Sequence, residues 1–146
     1  MNCTNPRTLS ALFVASLLVA APAMGAGNYA AVSQLPPEQK QGNVTYLSGG
    51  IGQDAAAAMR REESKFPLTL EFVKHSKPSA EYLSGVNVTI KDHHGTPVLT
   101  TVADGPFLLA KLPDGKYTVT ADHDGQKKER NIVLAEQKQE RFVFEW

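Results

Sequence analysis

Across the second half of the chain, apolar side chains recur at every second position in short runs broken by turn residues. Phe66, Leu68, Leu70 and Phe72 alternate with Pro67, Thr69 and Glu71, and Val86, Val88 and Ile90 with Asn87, Thr89 and Lys91. Tyr117, Val119 and Ala121 alternate with Thr118 and Thr120, and Phe142, Phe144 and Trp146 with Arg141, Val143 and Glu145. A period of two places alternate side chains on one face of an extended strand, so each run predicts a strand with one face in a core. The runs at 97–102 and 126–134 extend the series, the second with Ile132 and Leu134 inward, and Phe107, Leu108 and Leu109 form a short apolar run of buried-strand type. Turn signals separate the runs: Asp92-His93-His94-Gly95, Asp104-Gly105, Pro113-Asp114-Gly115 and Asp122-His123-Asp124-Gly125. Glycine accepts positive φ and proline presets the φ of a turn, so these positions reverse the chain. The pattern predicts a mainly β fold, an antiparallel β-sandwich of about seven strands. No strand alternates with a long helix, which argues against a parallel α/β sheet.

One stretch carries a resemblance. Asp104, Gly105, Phe107, Leu112, Pro113, Gly115, Tyr117 and Val119 follow the order of an Asp-Gly turn, a Phe-containing strand, Leu-Pro-x-Gly and Tyr-x-Val. This resembles the carboxypeptidase regulatory-like domain of transthyretin (prealbumin) type, found in bacterial exported proteins. The resemblance implies an Ig-like or prealbumin-like sandwich over 65–146. It is to the regulatory domain of carboxypeptidases and not to their catalytic domain, so it brings no catalytic residue.

The segment ahead of the sandwich, 27–64, reads differently. A polar lead-in with Pro36-Pro37 comes first, then a possible short strand at 44–47 and the turn-forming Ser48-Gly49-Gly50-Ile51-Gly52. That glycine stretch lacks the Gly-Lys-Ser/Thr ending of a phosphate-binding loop, and it reads as a place where backbone packs closely before a helix. The one helix predicted is 53–64, favoured by a run of alanines, with Asp54 near its start and Arg60-Arg61 near its end. Ile51, Ala55 and Met59 recur at helical spacing and predict a thin apolar stripe laid along an edge or end of the sandwich.

Residues 1–26 read as a cleaved signal peptide. Arg7 gives a positive start, 9–21 is apolar, and Ala21, Ala23, Gly25 and Ala26 supply small residues for cleavage. Pro22 ends the apolar run short of the ~20 residues that a membrane span needs. Cleavage leaves roughly 120 residues, a normal size for one small sandwich. The expected location is periplasmic or secreted, with no transmembrane segment in the mature chain. Cys3, the one cysteine, precedes the apolar run and leaves with it, so the mature fold is expected to rely on its apolar core rather than on disulfides. Formal net charge is zero, and the densest basic cluster, Lys127-Lys128-Glu129-Arg130, contains its own acid. That balance excludes a nucleic-acid partner of the usual basic kind.

Candidate chemistry is sparse. The four histidines are His75, His93, His94 and His123, and Asp92, Asp122 and Asp124 neighbour three of them. The least poor metal candidate is Asp104, Asp122, His123 and Asp124 together, without the spacing of a calcium loop. If strands run up and down in succession, the His93-His94 turn lies at one end. The turns at Asp104 and 122–125 and the loop carrying His75 then lie at the other, a strand length of roughly 17–20 Å away. No Gly-x-Ser-x-Gly elbow surrounds Ser48 and no His-x-x-Glu zinc motif occurs. The expectation is an exported non-catalytic sandwich, without cofactor, contacting an envelope protein or a cell-envelope glycan. The alternative is a small periplasmic metal-handling protein using the Asp/His turns. N-terminal sequencing of the exported protein should find a start between Met24 and Gly27; a product that retains residues before Leu9 would contradict export by cleavage.

Overall fold

The computed structural model describes residues 35–146; the expected signal peptide, 1–26, and the first part of the lead-in lie outside the described residues. The elements run β1 (Gln39–Gln41), β2 (Val44–Gly49), α1 (Gln53–Glu62), a single 3₁₀ turn (Glu63–Lys65), β3 (Leu68–Lys74), β4 (Glu81–Tyr82), β5 (Val86–Asp92), β6 (Pro97–Ala103), β7 (Phe107–Lys111), β8 (Gly115–His123), β9 (Gln126–Leu134) and β10 (Glu140–Glu145). They form two sheets. One has the order β1-β2-β7-β3-β10, with β4 added beside β3, and the other has the order β6-β5-β8-β9. Every pair is antiparallel except β3 with β10, where Leu68 lies opposite Glu140 and Phe72 opposite Phe144. The chain leaves β9 at Leu134, opposite Gly115, and re-enters the first sheet at the end where β3 begins, so β10 has to run with β3. Among the described residues, the fold is thus a mainly β sandwich with one short helix.

The strands hold two cores rather than one. The larger lies between the sheets. Val44, Tyr46, Leu68, Leu70, Phe72, Leu108, Ala110 and Phe144 face Val86, Val88, Ile90, Leu99, Tyr117, Val119, Ala121, Ile132 and Leu134. The smaller lies on the opposite face of the first sheet, where Leu47, Phe107 and Leu109 meet Ala56 and Met59 of α1 together with Phe66. β7 is therefore buried on both faces, the environment that its unbroken apolar run requires.

The second core corrects several sequence expectations. Phe66 does not share a face with Leu68, Leu70 and Phe72. It precedes β3, in extended backbone after the 3₁₀ turn, and packs beneath the helix. Thr69 and Glu71 are buried, because the helical segment covers the face that alternation had assigned to solvent. Glu71 tolerates this through an ion pair with Arg141, which also reaches Glu63 at 3.3 Å. The Glu71 carboxylate in turn holds the Arg141 guanidinium above its usual pKa. α1 lies on a sheet face, not along an edge or end, and its buried residues are Ala56, Ala58 and Met59. Ile51 stands before the first helical turn and is 67% exposed. β2 pairs with β7 inside the first sheet, so the residues from Val44 onward belong to the sandwich rather than to a segment preceding it. Among the described residues, no helix is long and apolar enough to cross a membrane.

The glycines of 49–50 and 105 permit the approach on which the second core depends. Gly50 has φ 94, and a Cβ there would drive into the Phe107 ring. A Cβ on Gly105 would collide with the backbone of Gly49, which cannot yield as a side chain can. Close packing ahead of the helix is what the glycine stretch provides. Phe107 is fully buried, and its ring lies 5.3 Å from the Arg60 guanidinium and 5.8 Å from the Tyr82 ring. Replacing Phe107 with Ala should cost roughly 3–5 kcal/mol of unfolding free energy in urea denaturation; a loss under about 1 kcal/mol would mean the ring is not held as described.

Candidate functional site

Three turns meet at one end of the sandwich and leave a groove of about 500 Å³ between the sheets. They are the β1–β2 turn with Gly42 and Asn43, the β5–β6 turn from Asp92 to Pro97, and the β7–β8 turn around Pro113 and Asp114. Val44, Val98 and Leu112 provide apolar floor, while Asn43, Asp92, His93, Asp114 and Lys116 contribute polar atoms. An apolar floor with a few placed polar groups, in this size range, is the ordinary form of a small-ligand site.

Local sequence explains two of the walls. Asp92 closes its own turn: its Oδ1 accepts the backbone N–H of Thr96 and that of His94, each at 2.9 Å. The Thr96 bond, with that of His94 and the nearby imidazoles, holds the Asp92 carboxyl below the usual 3.8. Gly95, at φ 80, completes the reversal. Across the groove, Tyr117 sits in the main core with its hydroxyl donating to the Pro113 carbonyl at 2.7 Å, which ties the β7–β8 turn down. Burial first, and then the negative charges of Asp92 and Asp114, push the Tyr117 phenol above its ordinary 10.0. Both carboxylates therefore bear on the same hydroxyl from the two turns.

The sequence candidates for metal binding lie elsewhere. The register sets Asp92 opposite Tyr117 and Asn87 opposite Asp122. The His93-His94 turn and the Asp122–Gly125 turn thus stand at opposite ends, roughly 17 Å apart along the strands. At that far end Asp122, His123 and Asp124 have local uses. Asp122 Oδ1 accepts the Gly125 N–H at 3.1 Å. Asp124 and Gly125, at φ 51 and 78, form the two-residue hairpin loop that Asp-Gly favours. His123 lies 3.4 Å from Asp124 and sets its ring edge against Trp146 at 5.8 Å. The Asp104 N–H donates to Ser48 Oγ at 2.8 Å, and two strand spacings, roughly 10 Å, separate its turn from that of Asp122. His75 pairs with Glu145 at 2.8 Å, and the His93 and His94 rings lie 3.7 Å apart. Among the described residues, no three His, Cys, Asp or Glu side chains gather as a metal-holding group.

The groove itself was not among the sequence candidates. Its signals were present as the Pro113-Asp114-Gly115 and Asp92-to-Gly95 turns, but nothing in their spacing says that they converge with Gly42 and Asn43. Compared with protein-family models and with curated proteins, the chain matches none. Fold and groove together define a class: a two-sheet sandwich with one helix-covered sheet and a loop-built groove at one end. Asp92 should titrate below the ordinary aspartate value in carboxyl-detected NMR. Because its folded pKa is depressed, the stability it contributes is present above the unfolded value near 3.8 and is lost as pH falls through the folded value. A midpoint at or above that ordinary value would contradict the two backbone bonds.

Proposed function

We propose that this chain is an exported, non-catalytic binding module that works by contact, taking an envelope protein segment or a cell-envelope glycan in the loop groove. The observation that carries the reading is the groove: three turns from both sheets converge around an apolar floor with hydrogen-bonding side chains at its mouth. Loops on a rigid sandwich are the usual place for such contacts. The resemblance of 104–120 to carboxypeptidase regulatory-like domains supports a role by contact, and the signal-peptide pattern of 1–26 supports export. Two polar groups of the groove, Asp92 and Tyr117, are committed to structure. One Asp92 oxygen is taken up by two backbone N–H groups, and the Tyr117 hydroxyl is bonded to Pro113 and kept neutral. That leaves them suited to positioning a ligand rather than to moving protons.

The test is an amide-shift titration of the mature chain with soluble cell-wall glycan fragments and, separately, with envelope protein extract. Saturable shifts confined to 42–44, 92–98 and 112–117, weakened about tenfold by Asn43→Ala with Asp114→Ala, would support the reading. Binding that maps to another surface, or no binding in either titration, would defeat it.

A further inference from the structure

We infer that β6 is a self-pairing edge held shut by the side chain of Gln41, and that the chain forms a two-fold dimer through antiparallel β6–β6 pairing when that side chain lets go. This rests on a different observation from the groove and does not depend on it.

The two sheets end in β1 and β10, and in β6 and β9. An unpaired strand edge is a template for another strand, and natural proteins guard such edges with charged side chains. Three of these edges are guarded in that way. β1 carries Lys40, β10 carries Glu140, Arg141 and Glu145, and β9 carries Lys127, Lys128, Glu129 and Arg130. β6, from Pro97 to Ala103, carries no charge and is built of Val, Leu, Thr and Ala after its proline. Its guard is a side chain from another strand. Gln41 Oε1 accepts the Thr100 N–H at 2.5 Å, and Gln41 Nε2 donates to the Thr100 carbonyl at 3.2 Å. One amide thus occupies the donor and acceptor that a neighbouring strand residue would take.

The same geometry shows what lies behind the guard. Thr100 turns its backbone groups away from β5, so Val102, two residues on in an unbroken register, turns its own the same way. Val102 is 51% exposed. The occupant that fits is a second copy. A two-fold axis through the middle of β6 sets the strand against itself, uncharged throughout, so no like charges oppose one another. A two-fold axis through the middle of β9 would instead set Arg130 against its own copy. Gln41 is itself exposed, and releasing it exchanges two side-chain bonds for two backbone bonds.

Sedimentation of the mature wild-type chain, Gln41→Ala and Gln41→Asn at matched concentrations tests this. Both variants should stay folded and self-associate at least about tenfold more tightly than wild type. Asparagine is one methylene short of reaching both Thr100 groups and serves should the alanine variant fail to fold. In dilute monomer, the Thr100 amide should exchange with solvent faster in the variants than in wild type. Adding Val102→Lys to Gln41→Ala should restore the monomer by placing a charge on the edge. Folded variants that remain as monomeric as wild type, a dimer indifferent to Val102→Lys, or capture of a different protein without self-association would each overturn the proposal.

Discussion

β7 is five residues long and buried on both faces, and the rest of the fold is arranged to cover it. Leu108 and Ala110 point between the sheets, while Phe107 and Leu109 point outward to the helix. A strand with two apolar faces needs a partner layer on each side, or one face is left in water at a cost of roughly 25 cal/mol per Å². The second sheet supplies one layer and α1 the other. For the helix to reach the strand, the chain before it has to pass close by. Gly50 leaves room for the Phe107 ring and Gly105 leaves room for the Gly49 backbone. Alanine-rich sequence serves the same end from the helix side, since small residues let its axis approach the sheet.

The margins of the sandwich are closed by polar side chains carried over apolar ones. On the β9–β10 side, Lys128 lies 5.9 Å from the Trp146 ring and Arg130 lies 5.6 Å from that of Phe144, each cation over an aromatic face. On the β1–β6 side, Tyr46 donates to Gln39 at 3.0 Å and Gln41 holds Thr100. β9 is charged and β6 is not, so the two edges of one sheet face solvent under different rules.

The ends of the sandwich differ as well. At one, the Asp122–Gly125 turn bonds its own backbone. The other is spread open by the meeting of three turns, with Tyr117 anchoring one of them through Pro113. The groove lies at the open end, and the β6 edge covered by Gln41 lies beside it.

Much of this was legible in the sequence. Period-two alternation marked β5, β8 and β10, Asp-Gly and Pro-Asp-Gly marked their turns, and the unbroken run at 107–109 marked a strand of buried type. The same up-and-down reasoning placed His93-His94 and His123 at opposite ends. These are local properties, set by side-chain direction and by the φ values that glycine and proline allow. What tertiary structure alone decided is which surfaces meet. Alternation says that a strand has an inner face and not what covers the outer one, so the burial of Thr69 and Glu71 under the helical segment could not be read from it. Phe66 was assigned by period to the wrong face because the strand begins only after Pro67. The parallel pairing of β10 with β3 depends on where the chain leaves β9. Gln41 carries no local sign of its role, because standing in for a strand is a matter of which backbone lies within reach of its amide.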